Sequence, residues 1–257
     1  MDPYESIAAL YDLEHDEFSD DLDWYAQLVS LAGPRVLELG CGSGRVLAPL
    51  IEAGATVTGV DLSAAMLDRA RLRLAAPIRA GRARLIEGAM TDLTDLTPGP
   101  FDLAIVSLNG LLHVETAAEQ REVLQQVHDV LRPGGLLAVD VLHAVPDALD
   151  AFDGRVMHEW SVERDDRSSV AKFSARGVDW TSQVIETDLW YDQTGVDGSL
   201  RRERSAFTMR WLTASETELM LELAGFADWD LAGSYDGSPL SDLSDRLLVV
   251  ARKGDRH

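Results

Sequence analysis

The chain has 257 residues, a formal net charge of −21 and a hydrophobic fraction of 46%, enough for one α/β domain with an insertion or at most two small domains. So acidic a surface repels a polyphosphate and argues against nucleic acid as substrate, and no apolar run approaches the roughly 20 residues that span a bilayer. The acidic start, Met1-Asp2-Pro3-Tyr4-Glu5, lacks a signal-peptide pattern, and the lone Cys41 argues against a disulfide framework; both point to a cytoplasmic protein with no membrane partner.

Residues 1–32 are dense in rings: Tyr4, Tyr11, His15, Phe18, Trp24 and Tyr25. Leu22 to Leu31 reads as a helix with Leu22, Tyr25, Leu28 and Val29 on one face and Asp20 or Asp21 as cap, and the first dozen residues as another short helix. Val36-Leu37-Glu38-Leu39 then forms a short buried strand, followed by Gly40, Gly42 and Gly44 at every second position. Such spacing marks a tight turn where a ligand approaches the backbone. A helix starts near Arg45, a second strand runs from Thr56 to Val60, and Asp61 follows, 17 residues beyond Gly44. An acid at that strand tip is placed to accept hydrogen bonds from ribose hydroxyls. A dinucleotide fingerprint needs its third glycine inside the helix; here that glycine comes one residue early and Arg45 takes its place. Glu38, aimed at the loop, repels a diphosphate and suits a ligand that carries an ammonium. Cys41 reads as a small buried residue of the loop, not a nucleophile.

Ser63 caps a helix with Met66, Leu67, Ala70 and Leu74 on one side. The third strand is Arg84 to Glu87 and turns out through Gly88-Ala89-Met90; the fourth is Phe101 to Ser107 and ends in the loop Leu108 to His113. Ligands of open α/β sheets bind beyond the carboxyl ends of strands, which makes Asn109 and His113 the leading candidates on the catalytic side. Thr116 and Glu119 read as a capping box for a helix with Val123, Leu124, Val127, Val130 and Leu131 inward; Pro133-Gly134-Gly135 ends it. The fifth strand, Leu136 to Leu142, leads to His143, a further candidate.

From 155 to 212 the period changes to two: His158, Trp160 and Val162 alternate with polar residues, as do Phe207, Met209 and Trp211. Turn signals at Asp165-Asp166-Arg167, Arg176-Gly177 and Thr194 to Gly198 divide it into about four strands, an antiparallel insertion. Between Arg155 and Arg210 stand nine Lys+Arg and ten Asp+Glu, so this segment is −1 and the remainder −21 − (−1) = −20. An anionic substrate, if there is one, meets the arginines here, most of which read as solvated strand faces. The insertion's free face could cover the site or the same surface of a second subunit in a homodimer. Thr213 and Glu216 cap another helix ending at Gly225, and Phe226 to Leu231 with Arg246 to Arg252 form a closing hairpin whose loop, with Tyr235 and Pro239, could border the substrate pocket. No His/Cys cluster has metal-ligand spacing, so no metal is expected.

The run Glu38 to Gly44, E-x-G-x-G-x-G, together with Val60-Asp61-Leu62-Ser63, Met66, Glu87 to Met90, Phe101 to Ser107 and Leu131 to Gly135, resembles the class I S-adenosylmethionine (SAM) dependent methyltransferases of small molecules. The resemblance covers about residues 33 to 143, and the place of the β insertion is similar to that in amino-sugar N-methyltransferases. It implies an α/β fold: a Rossmann-like sheet of seven strands with helices on both faces and the antiparallel insertion after the fifth strand. The implied division is a helical lid (1–32), a SAM-binding core (33–154), the insertion (155–212) and a C-terminal helix and strand pair completing the core (213–257). SAM is the implied cofactor, at Glu38, Gly40, Gly42, Gly44, Asp61, Leu62, Met66, Ala89, Met90 and Ser107. Many relatives carry an aspartate where Ala89 stands, which leaves the adenine contact open; Asp92 or the backbone at Ala89 and Met90 could supply it instead. Leu10-Tyr11-Asp12 matches a lid segment whose tyrosine reaches the active site. The implied activity is in-line methyl transfer to a nitrogen or oxygen of a small molecule, with His113, His143 or Tyr11 as base only if the acceptor arrives protonated. The alternatives are a SAM-binding protein without methyl transfer and a nicotinamide-dependent oxidoreductase.

Overall fold

A computed structural model describes residues 2–254. Two N-terminal helices, α1 (Ala8–His15) and α2 (Leu22–Ala32), precede the alternation β1 (Arg35–Leu39), α3 (Leu47–Glu52), β2 (Thr56–Asp61), α4 (Ala64–Arg73), α5 (Ala75–Arg79), β3 (Ala83–Glu87), α6 (Leu93–Leu96), β4 (Phe101–Val106), α7 (Ala117–Val130) and β5 (Leu131–Leu142). A short α8 (Pro146–Asp150) leads to four long strands, β6 (Asp153–Glu163), β7 (Ser169–Asp179), β8 (Val184–Thr194) and β9 (Leu200–Arg210). The chain closes with α9 (Ala214–Ala224), β10 (Phe226–Ala232) and β11 (Arg246–Lys253).

The main sheet has seven strands in the order β10-β11-β5-β4-β1-β2-β3. β1 to β5 are parallel; β11 runs antiparallel to β5, and β10 antiparallel to β11. Helices cover both faces, so β4 is buried at every position and reads as one continuous apolar run interrupted by Asp102. One face packs Val123, Leu124 and Val127 of α7 and Leu221 of α9 on the strands. The other packs Leu28 of α2, Leu50 of α3 and Leu67 of α4. Chain order reverses between β1 and β4, and the crevice at their carboxyl ends is where such a sheet takes a ligand.

The insertion forms its own sheet, ordered β6-β7-β8-β9 and antiparallel throughout. It is joined to the N-terminus by Ile7, Leu10, Val170, Leu189 and Tyr191, a small core distinct from the two under the main sheet. Helix α1 is therefore packed on the four-stranded sheet. Among the described residues no helix is long and apolar enough to cross a membrane.

Three local expectations are corrected. Arg176-Gly177 is no turn: both residues lie within β7, paired with Thr187 and Glu186 of β8, and the chain reverses at 180–183. There the carboxylate of Asp179 accepts from the backbone N–H of Thr181 and Ser182, and Gln183 takes a φ of +57°. The turn is specified by an aspartate binding its own following backbone, a signal as strong as the glycine that was read instead. Asp21 precedes α2 but does not cap it, because its backbone is helical and its carboxylate is bound to Arg45. Finally, β5 begins at Leu131, five residues before the expected Leu136, with a register shift opposite Phe101 and Leu103 that absorbs the Pro-Gly-Gly stretch.

Candidate active site

A cavity of about 1070 Å³ lies beyond the carboxyl ends of β1, β2, β3 and β4, roofed by the N-terminal segment and continuing to the four-stranded sheet. That volume sits at the upper end of the ~300–1,000 Å³ typical of small-molecule sites, which leaves room for a cofactor and an acceptor together.

The floor is backbone. Gly40 and Cys41 donate N–H bonds to Val60 O at 2.8 and 3.1 Å, folding the loop after β1 onto the tip of β2. Gly42 N donates to Asp61 Oδ2 at 2.7 Å and Ser63 N to Asp61 Oδ1 at 2.8 Å, so Asp61 ties the glycine loop to the start of α4. Ser63 caps α4 by accepting from Met66 N. At Gly42, with φ +51°, an added Cβ would meet no atom within 4 Å; the loop leaves open space there. Gly44 does something else. It does not border the cavity, and a Cβ on it would stand 3.2 Å from Leu74 and 3.6 Å from Ala70, so it is needed for close packing of the loop on α4. Its place in the glycine run is accounted for by this packing. Cys41 is buried and burial pushes its thiol up; its sulfur fills the space where a Cβ on Gly59 would be.

Glu38 and Ser107 meet at the bottom, Ser107 Oγ donating to Glu38 Oε1 at 2.8 Å. Glu38 is 1% exposed, and its Oε2 has no partner among the described residues. Burial pushes this carboxyl up to about 8, against the smaller opposing effects of the Ser107 bond and Arg45. An orphan buried carboxylate oxygen beside an open backbone loop fits an ammonium-bearing ligand and not a diphosphate. Leu62, Met66, Ala89 and Met90 border the same cavity, on the β2 and β3 side, whereas Asp92 does not. The residues present therefore fit SAM: Glu38 would take its amine, Asp61 its ribose, and the four apolar side chains its adenine.

The roof is latched to this floor by charge. Arg45 donates to both oxygens of Asp21 at 2.8 and 2.6 Å and to Phe18 O at 2.8 Å, and its guanidinium lies 5.3 Å from the Phe18 ring centre. Asp12 pairs with Arg69, and Asp16 with Arg73, both on α4. Arg45 entered the sequence reading only as a missing glycine; its burial partner, an aspartate 24 residues upstream, carries no local signal.

On the far side stands the loop after β4, with Leu108 and Asn109 at φ +41° and +68°. Asn109 Oδ1 accepts from Leu142 N at 2.6 Å, and its backbone N–H donates to Asp140 O. The side chain holds the loop and does not border the large cavity, although it reaches a smaller one beside it. The fully buried Asp140 does similar work through bonds from Leu108 N, the Tyr235 hydroxyl and Arg246. Tyr235 is thereby turned away from the cavity, and Pro239 is bridged to Ala232. His143 is also elsewhere, with Nδ1 at 3.1 Å from Ser244 O. Tyr235, Pro239 and His143 thus border neither cavity, and Asn109 borders only the smaller one.

His113 and Tyr11 do border it, and they are joined by a residue the sequence reading did not single out. The Tyr4 hydroxyl lies 3.0 Å from His113 Nε2, Tyr4 meets the Tyr11 ring edge-on at 5.6 Å, and Phe207 of β9 lies 5.1 Å from His113. Burial alone pushes His113 down to about 4, so it is neutral at physiological pH.

The insertion's arginines are largely spent on carboxylates: Arg176 on Glu159, Arg202 on Asp192, Arg204 on Asp188 and Arg210 on Glu216. Only Arg176 among them borders the large cavity, whereas the carboxylates Glu115, Glu119, Glu186 and Asp188 do. An anionic substrate in the large cavity would meet only Arg176 of these arginines, and that one is paired. Among the described residues no group of three or more His, Cys, Asp or Glu is arranged to hold a metal ion.

Comparison with known proteins agrees with this geometry. Residues 36–135 match the model of a methyltransferase domain family. The cypemycin N-terminal methyltransferase of a Streptomyces species is 29% identical over 90% of this chain and 87% of its own length. The fold is shared with the CcbJ methyltransferase of Streptomyces caelestis, with a TM-score of 0.79 over 98% of each chain at 24% identity. It is shared as well with the sugar N-methyltransferase KedS8 of a Streptoalloteichus species, with a TM-score of 0.78 over 96% of this chain and 92% of that one at 20% identity. Residues 36–135 thus carry a methyltransferase domain, in the fold of SAM-dependent methyltransferases, which transfer a methyl group from SAM to an acceptor.

Proposed function

We propose that the acceptor is an amine and that the chain is a small-molecule N-methyltransferase. The observation that carries this reading is the charge around the acceptor side of the cavity: Glu115, Glu119, Glu186 and Asp188 border it, while its one insertion arginine is paired with Glu159. A cleft lined by one sign of charge concentrates ligands of the other, and an amine is the methyl acceptor that arrives as a cation. The relatives named above for N-terminal and sugar N-methylation support the same reading.

When bound, SAM supplies a methyl group on a sulfonium, an already activated electrophile. The chain's own task is then to hold both partners at reacting distance and exclude water, a contribution of roughly 7 kcal/mol or more. Glu38 binds the cofactor's ammonium, Gly40 and Gly42 admit its methionine part, Asp61 accepts from its ribose, and Leu62, Met66, Ala89 and Met90 enclose its adenine. Ser107 orients Glu38. Tyr11 and the Tyr4–His113 pair wall the methyl site, with His113 neutral and its Nε2 already hydrogen-bonded to a phenol. Asn109 acts through the loop it holds. Cys41, a free buried thiol, suits a reducing, cytoplasmic setting, and the exposed face of the four-stranded sheet is the surface on which a second copy would dock.

The test is to incubate the protein with SAM and, separately, primary amines, alcohols and carboxylates, and to follow S-adenosylhomocysteine (SAH) release and the methylated product by mass. Methylation confined to amines is expected. Methylation of alcohols or carboxylates in preference to amines would contradict the assignment of nitrogen.

A further inference from the structure

Next to the large cavity lies a chamber of about 300 Å³ whose charge is of the opposite kind. Lys172 and Arg176 of β7 and Arg246 of β11 line it, and Glu14 is the one carboxylate among the described residues that does. Glu14 is spent: Lys172 Nζ donates to both its oxygens at 2.6 and 2.7 Å, and the Tyr191 hydroxyl donates to one of them at 3.0 Å. That leaves two guanidinium groups, whose own carboxylates, Glu159 and Asp140, do not line the chamber. Neither is saturated, and their side chains keep 30% and 22% of their surface open. Arg246 binds Asp140 Oδ1 through Nε and one Nη, so the two N–H of its other Nη have no partner among the described residues. Arg176 meets Glu159 through one Nη at 2.9 Å and makes no further ion pair or hydrogen bond among the described residues. Its guanidinium lies 5.2 Å from the ring centre of Phe152, itself part of the chamber wall. Asn109 adds a third donor: its Oδ1 is taken by Leu142 N, and no described residue engages its Nδ2. Unspent N–H groups from three parts of the fold surround one space in which both oxygens of the lone carboxylate are already bonded. Such a space suits an oxyanion.

We propose that this chamber takes a carboxylate of the acceptor whose amine lies in the large cavity, so that the substrate is an aminocarboxylate with its two charges held in two oppositely charged spaces. The inference rests on the N-methylation reading. Tyr4, Tyr11, Leu108, His113 and Phe207 border both spaces, so the two adjoin where the methyl site is walled. Arg176 borders both as well. The planar fork of a guanidinium matches the two oxygens of a carboxylate, and Arg176 and Arg246 with the Asn109 amide supply the donors. Opposite charges at the two ends also fix the direction in which the acceptor lies. Reversed, its carboxylate would meet Glu115, Glu119, Glu186 and Asp188, and its ammonium would meet the guanidiniums. A plain alkylamine leaves the chamber's donors unpaired, and a site built to bind a polar group discriminates against the analogue that lacks it.

The experiment uses the full chain with SAH bound and its arginines labelled with nitrogen-15. It is titrated with γ-aminobutyrate, ε-aminohexanoate and para-(aminomethyl)benzoate, each beside its primary amide. At least one aminocarboxylate should shift the Nε resonance of Arg176, identified by its loss in Arg176→Gln, and the matching amide should not. With SAM, that aminocarboxylate should exceed its amide in kcat/KM by at least about tenfold, and Arg176→Gln should bring the ratio toward one. The wild-type ratio tests the claim whatever the variant's stability. Turnover of plain amines with no advantage for any of the three aminocarboxylates over its amide, or a ratio unmoved in Arg176→Gln, would overturn the proposal and leave N-methylation standing. Shifts at Arg176 without an advantage in kcat/KM would give the chamber to a separate carboxylate and overturn it as well. Failure to methylate any amine would instead remove the N-methylation reading, and this inference with it.

Discussion

The two halves of the cavity are built from different materials. The cofactor half is mainly backbone, folded by three glycines and one aspartate within 22 residues of each other, with its loop N–H groups tied to Val60 and Asp61 around one buried carboxylate. The acceptor half is made of side chains from the N-terminus, the loop after β4 and the four-stranded sheet, joined by contacts such as Tyr4 to His113, 109 residues apart, and Ser205 to Pro3, 202 apart. A backbone site needs a particular local conformation, and that conformation restricts the sequence. A side-chain site needs only that distant chain segments meet, and many residues serve.

The comparison can be broken first at the latch that joins the halves. Asp21→Ala leaves Arg45, whose side chain is 10% exposed, without its buried partner. Unfolding free energy should fall by about 3–5 kcal/mol, measurable by urea denaturation. Preserved stability would mean that lid and glycine loop are not coupled through this pair. Asp61→Ala comes next: it removes the ribose acceptor and leaves Gly42 N and Ser63 N unpaired, so affinity for SAM should drop about 100-fold or more by calorimetry. Since Asp61 also shapes the loop, part of that loss is distortion of the Gly42 turn, a sharper expectation than a lost ligand contact alone. A smaller effect, about 1 kcal/mol of stability with a larger loss in kcat than in SAM affinity, is expected for Asn109→Ala, which frees Leu142 N and puts alanine at a left-handed position. An equal loss in both would move Asn109 from loop support to cofactor binding.

The same contrast explains what the sequence made legible. The strand–glycine–helix spacing, Asp61 and the Ser63, Thr116 and Thr213 caps could be read directly, because each is a local device with its own residue signature. Gly44 was readable as a glycine but not for its reason, since its neighbours Leu74 and Ala70 lie a helix away. Arg45 and Tyr4 were passed over because their significance comes from long-range partners. Asn109 and Tyr235 were placed in the site because they lie at the correct end of the sheet; their side chains are instead bound to Leu142 N and Asp140, a distinction below the resolution of topology.

The cofactor half turns on Glu38 as the buried carboxylate reserved for the cofactor's ammonium. Its carboxyl is raised in the free protein to about 8, so free Glu38 is protonated through neutral pH, and keeping it so buried lowers the free protein's stability as pH rises from 4.5 toward 8. Binding an ammonium favours the ionised form. SAM affinity should therefore increase from pH 6 to about pH 8, by at most about tenfold per pH unit, and level off above. The measurement is calorimetric titration of SAM into wild type and Glu38→Gln across that range. A rising affinity is expected in the wild type and a weaker, flat one in the variant, which keeps the Ser107 bond and loses the charge. Equal affinity at every pH, with or without the substitution, would contradict it.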